Sequence, residues 1–314
     1  MNSIVFRLVT RLGYSAVILA GISVVTFGLM VLSPGDPAEI LLRIGHEEPG
    51  PEQIASFRRD MGLDKPIVSR YLHWMGNVIQ GNMGRSWRTG EPVIRELAAR
   101  MVATVELALA AFLVLIAVST VMGTAAFFGR NSLTDSLVRS LSILMMSIPG
   151  YWMGFLLLYV FSLHLGWTPV MGRGTVDHLI LPAITLGLGT AALHGRLLYS
   201  ALIEIIRRDH VRFAVAKGLK PATIFLRHVL PGALGTLVTM WAMSFGHFLG
   251  GSAVVETVFS WPGIGRLAVE AVSARDVPVV QAVVMIAAFF VVLLNSIGDI
   301  IQHSLNPRWE QSEP

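Results

Sequence analysis

Six stretches of this chain are apolar for long enough to cross a lipid bilayer: Leu12–Leu32, Met101–Phe128, Leu137–Leu165, Leu179–Ile205, Gly232–Val255 and Val277–Gln302. A helix needs about 20 mostly apolar residues to traverse the hydrocarbon layer. Backbone polar groups have no water to bond there, so helices are the natural solution for such long runs. The expected fold is therefore all-α and polytopic, with about six transmembrane helices. Pro149 and Gly150 interrupt the third run and predict a kink or break in it. Composition agrees, since 54% of the residues are apolar and 14% charged, against about 25% charged in soluble domains.

The distribution of cations sets an expected orientation. With the N-terminus inside, the cytoplasmic side holds Arg7, Arg11, Arg130, Arg139, Arg207, Arg208, Arg212, Lys217, Lys220, Arg227 and Arg308. The short loops opposite hold only Arg173, Arg266 and Arg275. This bias places both termini in the cytoplasm by the positive-inside rule. The long segment Ser33–Arg100 then lies outside, where loops of more than about 60 residues cross largely regardless of charge. Within it, Pro51–Met61 and Ile67–Ile79 read as short amphipathic helices and Gly81–Gly84 as a turn. Arg7 and Arg11 ahead of an apolar run mimic a signal peptide. The run is longer than the roughly 7–15 residues of a signal core, and no A-x-A-like site follows, so it reads as a retained first span. The domain reading is 1–100, a first helix plus long outer segment, and 101–314, a five-helix core with a cytoplasmic loop at about 206–231.

Much chemistry is missing. There is no cysteine, hence no thiol chemistry and no thiolate metal site. The three lysines, Lys65, Lys217 and Lys220, do not follow a glycine, so no Walker-type ATP loop exists. Metalloprotease pairs and nucleophile elbows are absent too. No cofactor and no metal are expected on this chain. Asp and Glu are nearly confined to loops and span ends, as with Glu106, Glu204, Glu256 and Asp299. Proton-coupled carriers place such groups deep in their spans. Arg196, between His194 and Tyr199, is the one cation well inside a span, and either snorkels to the cytoplasmic side or pairs with a partner subunit. The basic residues flank apolar runs, so topology explains them without nucleic acid. The chain reads as a path without an engine.

Residues Asp209 to Pro231 resemble the cytoplasmic coupling loop of permease subunits in bacterial ATP-binding-cassette (ABC) importers. That family's loop has a Glu-Ala-Ala region, a spacer, Gly, nine residues, then Ile-x-Leu-Pro. Here Gly218 is followed by nine residues and then His228-Val229-Leu230-Pro231. Phe213-Ala214-Val215-Ala216 replaces the Glu-Ala-Ala region, and His228 stands where Ile is usual. Ala216–Leu219 is the form that resembles the dipeptide, oligopeptide and nickel branch. Further segments resemble the same branch: Pro34-Gly-Asp-Pro37, Met61 to Pro66, Thr104-Val-Glu-Leu107, Ser147 to Trp152, Leu181-Pro-Ala183, Glu256 to Arg266, Arg275 to Gln281 and Asn306-Pro-Arg308.

The resemblance implies a type I (MetI-like) importer permease in the bacterial inner membrane. It implies a second homologous permease forming a heterodimer, two cytoplasmic ATPase subunits, and a periplasmic or lipid-anchored substrate-binding protein. The coupling residues it implies are Phe213, Ala214, Ala216, Lys217, Gly218, Leu219, Ile224, Phe225, Leu230 and Pro231. Phe213, Leu219, Ile224 and Phe225 offer apolar surface to bury in an ATPase groove, and Gly218 permits the bend between the loop's two halves. An ordinary basic membrane-surface helix is the alternative reading of this loop. Val258–Val277, with Trp261, Pro262, Gly263 and Gly265, is too short and polar to span. It reads as a periplasmic gate, a docking surface for the delivery protein, or a structural re-entrant cap.

For cargo, Met240, Met243 and His247 fall on one helical face and form a candidate translocation path tolerant of a soft metal; packing is the competing reading of the same stripe. The short outer loop Thr168–His178 resembles nickel-type more than dipeptide-type permeases. Peptides and nickel or metal-chelate complexes both remain expected cargoes. A self-sufficient secondary transporter for a small polar solute is the alternative from another class. It predicts an intramembrane carboxylate or an inverted repeat. A membrane-embedded enzyme is a third, and predicts a catalytic constellation.

Overall fold

The computed structural model describes residues 2–32, 38–39, 42 and 50–305. The segments Pro34–Pro37 and Asn306–Arg308, read above as family motifs, lie outside the described residues. Among the described residues there is no β-strand, and an isolated bridge joins Arg85 and Pro92.

Two compact units emerge, residues 1–101 with 267–292 and residues 102–266 with 293–314. In the first unit, α1 (Asn2–Leu32) meets α3 (Ile67–Ile79), and α2 (Pro51–Asp60) lies between them in the chain. Phe27 of α1 packs edge-on to Tyr71 at 5.5 Å and against Trp74 at 5.6 Å. Ser23 and Tyr71 share a hydroxyl hydrogen bond of 2.8 Å. An aromatic cluster with one internal polar link lets a short helix hold a long one. The loop that follows is fixed by Asp276, 2% exposed. Its carboxylate accepts from the hydroxyl of Ser86 and from the backbone N–H groups of Trp87 and Arg88. Removing it leaves buried donors unsatisfied, at about 1–3 kcal/mol each. Asp276→Ala is expected to speed amide exchange at Trp87 and Arg88 by at least tenfold, while residues 105–125 exchange as before.

The second unit is built around α4 (Val93–Phe128) and α7 (Val176–Ile205), two helices apolar nearly all round. Glycines let them touch. A Cβ on Gly187 would stand 2.7 Å from the Ala111 carbonyl oxygen, and one on Gly123 would stand 2.7 Å from Leu198 Cγ. Small residues permit such close approach where lipid offers no hydrophobic drive. Between these helices the chain makes the expected break. Helix α5 (Leu133–Ser147) is capped by Ser132, whose side chain accepts from the Thr134 N–H. It ends at Ile148, which is extended because the following residue is Pro149. Helix α6 (Gly150–Leu157) with its continuation Leu158–His164 then leaves at 106°.

Beyond α7 come α8 (Asp209–Ala216), α9 (Pro221–Ile224), a wide turn at Phe225–Val229, and α10 (Leu230–Gly251). Short α11 (Ala253–Val258) leads to α12 (Ile264–Ser273) and α13 (Val277–Leu305). Among the described residues three helices, Gly13–Leu32, Val93–Phe128 and Val176–Ile205, are long and apolar enough to cross a membrane. Counting the α5–α6 pair and the bent pair Pro221–Gly235 with Leu237–Gly250 as one span each gives five. Val277–Leu293, within the 29-residue α13, is a further apolar helical stretch at the sixth expected run.

Candidate functional site: a two-part loop helix and a buried clasp

The basic loop folds as two short helices hinged at Gly218. Helix α8 ends in a Schellman motif, with the Gly218 N–H donating to the Val215 carbonyl at 2.9 Å and the Leu219 N–H to Ala214 at 3.3 Å. That motif needs a left-handed residue at the turn, and Gly218 has φ of 73°. Pro221 then starts α9 at a position where its missing N–H costs nothing.

The two faces of this loop divide sharply. Val211, Ala214, Ile224 and Val229 join one core cluster with Leu115 of α4, Leu198 and Leu202 of α7, and Leu237 and Phe248 of α10. Outward stand Phe213, 61% exposed, Val215, Leu219 and the half-turn of Lys217, whose ammonium lies 4.6 Å from the Phe213 ring. Of the four apolar residues expected to be offered outward, Phe213 and Leu219 are. Ile224 is buried, and Phe225 packs on Phe127 and Phe128 at 5.7 and 4.7 Å. Those two face inward because α9 sits directly on α10's root and must fill the gap there. Ala214 also faces the core, whereas Ala216 and Gly218 are exposed, and Leu230 and Pro231 open α10.

At the other end of this unit, two motifs distant in sequence meet. Glu256 is fully buried and accepts from the Thr104 hydroxyl at 2.9 Å, the Ser252 hydroxyl at 2.6 Å and the Arg266 N–H at 2.8 Å. Thr104 in turn accepts from the Ile264 N–H, and the Trp261 indole donates to the Ala103 carbonyl, each at 2.8 Å. The result is a clasp between α4, α11 and the turn into α12. Gly263 is obligatory there, for a Cβ would stand 2.3 Å from the Glu256 carboxylate. Trp261 and Gly263 are buried, Pro262 and Gly265 half-buried. These residues shape the turn from within, and docking on Trp261 itself has no exposed surface to use. Arg173 lies over Trp261 at 5.9 Å and pairs with Glu106 at 2.6 Å. Sequence reading singled out both segments but not their union, nor the part played by Thr104 and Ser252. Ser252 four residues before Glu256, on one helical face, was the available signal.

On α10, Met240 is half-buried, while Met243 and His247 are exposed on the side away from Leu237 and Trp241. Among the described residues no group of three or more His, Cys, Asp or Glu could hold a metal. Arg196 is exposed and lines a small polar cleft with Asp135, Arg139 and Tyr199.

A helical bundle with long apolar spans, a broken span and an externally graspable two-part loop defines a polytopic membrane permease. The comparisons agree. The model for "binding-protein-dependent transport system inner membrane component" matches residues 115–311, and its N-terminal companion matches 4–108. The chain is 38% identical to the di/tripeptide transport system permease protein DppB of Pseudomonas aeruginosa, over 95% of this chain and 96% of that one. It is 36% identical to the glutathione transport system permease protein GsiC of Salmonella typhimurium, over 91% and 92%. Its fold is similar to a chain of the inward-facing MetNI methionine ABC transporter, with TM-score 0.56 and 19% identity over 69% of this chain and 99% of that one. An amino acid ABC transporter gives TM-score 0.55 at 14% identity, over 67% and 94%. The chain belongs to the family of binding-protein-dependent transport system inner membrane components. It is thus a multi-pass permease subunit of an ATP-driven importer, and the secondary-transporter alternative is set aside.

Proposed function

We propose that this chain is the conduit for peptides of two or three residues, driven through its basic loop by ATPase subunits on the cytoplasmic face. The observation that carries the drive is the division of this loop: Val211 and Ala214 lie in the core of the crossing helices, while Phe213 and Leu219 stand outside it. A partner that grips the outer face moves the inner face with it, as rigid-body switching requires. The cation bias supports a cytoplasmic side for this loop and both termini. A second homologous permease, paired as a heterodimer, and an extracytoplasmic binding protein complete the assembly. The ATP chemistry belongs to the separate subunits, with no site for it on this polypeptide.

The cargo reading rests on relatives whose names specify di/tripeptides and glutathione. For nickel or a metal chelate, the support is the Met240, Met243 and His247 stripe and the short outer loop Thr168–His178. Phe213→Asp tests the drive. It places a charge where an apolar anchor is needed, and anchors of this kind contribute about 2 kcal/mol or more to an interface. Co-purification of the ATPases is expected to fall at least tenfold with the permease still inserted. Unchanged co-purification and unchanged peptide-stimulated ATP hydrolysis would count against the loop as the coupling element.

A further inference from the structure

A cleft of about 500 Å³ opens where the span is broken between α5 and α6. Met145 and Met146 come from the end of α5, Tyr151 and Met153 from the start of α6, and Gly189 and Thr190 from α7. Gly189 and Thr190 stand at the middle of α7's 30 residues, so the cleft lies halfway along a crossing helix. Irregular backbone at such depth survives only where it is packed in protein or lines a cavity. Ile148, extended and half-buried, and Pro149, exposed and without an N–H, supply that irregular backbone.

We propose that this cleft is a transit site for the cargo peptide, taking its side chains by thioether and aromatic contact with little discrimination. The proposal rests on the peptide reading above and adds where in the chain the peptide passes. Three lines support it. The volume suits a ligand of a few hundred daltons, within the about 300–1,000 Å³ of small-molecule sites. Methionine is unbranched and polarizable, and flexible methionine surfaces repack around differing partners, as passage of peptides with variable side chains demands. The floor is kept open by glycine: a Cβ on Gly189 would meet only the Met145 carbonyl oxygen, at 3.9 Å. This places the cargo on α5, α6 and α7, with Val254 and Val255 of α11 closing one side, and not on the α10 stripe.

The absence of native cysteine makes the test direct. Met146→Cys and Thr190→Cys are introduced singly, and the complete importer with its ATPases and binding protein is reconstituted in vesicles. Each variant is compared with its own rate before labelling by a bulky maleimide, with exposed Val121→Cys as the reference site. Labelling in the cleft is expected to lower uptake of Ala-Ala and Phe-Phe at least tenfold, and excess peptide with ATP to slow labelling severalfold. Gly189→Leu is expected to cut Phe-Phe uptake tenfold and Gly-Gly less than twofold. Complete labelling with uptake unchanged, or equal losses for both peptides in Gly189→Leu, overturns the site and leaves the peptide importer standing. Labelling that releases the second permease instead identifies the cleft as a subunit seam and also overturns it. An unlabelled importer that moves no di- or tripeptide refutes the cargo reading, and this one with it.

Discussion

Glu256→Ala is expected to be the most destabilising single change in the second unit, by about 3 kcal/mol. Three buried donors, the hydroxyls of Thr104 and Ser252 and the N–H of Arg266, converge on this one carboxylate. Each unsatisfied buried donor costs about 1–3 kcal/mol, and the hydroxyls can re-aim while the Arg266 N–H cannot. The truncation also leaves space beneath Gly263, which the carboxylate now fills. The melting midpoint of purified protein should fall by about 6 °C or more. Glu256→Gln keeps the shape and one acceptor oxygen but turns an amide donor toward donors, so about half the loss is expected. A midpoint within about one degree of the parent for both variants would show that the clasp does not hold the turn.

Gly218→Val is expected to remove coupling with little effect on the bundle. The added side chain would meet nothing within 4 Å, so space is not the obstacle. The obstacle is φ of 73°, a left-handed conformation that costs an L-residue roughly 1–2 kcal/mol and a β-branched one more. The Schellman bonds from Gly218 and Leu219 are then lost or strained, and α8 turns its outer face elsewhere. Peptide uptake and peptide-stimulated ATP hydrolysis should both fall at least tenfold, with the melting midpoint lowered by only about 2–6 °C. Gly218→Asn is expected to retain much more, because asparagine tolerates this region. If valine and asparagine behave alike, the hinge conformation is not what matters.

The parts of this molecule that depend on one stretch of chain were readable from that stretch. The long apolar runs became α1, α4 and α7, and Pro149 with Gly150 became the break because proline forces its predecessor out of the helix. Gly218 was legible as a bend for the same local reason. What could not be read was which face of a short helix the rest of the fold would claim. Ile224 and Phe225 are as apolar as Phe213 and Leu219, yet they turn inward because α4 presents Phe127 and Phe128 beside them. The clasp was hidden for a related reason. Thr104 and Glu256 sit 152 positions apart, and only the packing of α4 against α11 brings them into hydrogen-bonding range. The mid-span cleft likewise belongs to four helices, α5, α6, α7 and α11, and to no single segment.

That 152-residue separation also orders the protein's birth. At about 5–20 residues per second, Thr104 leaves the ribosome about 8–30 seconds before the carboxylate that will accept its hydrogen bond. Until then the hydroxyl must bond within its own helix, as those of Thr124 and Thr185 do. A nascent product cut short before Glu256 could not close that seam.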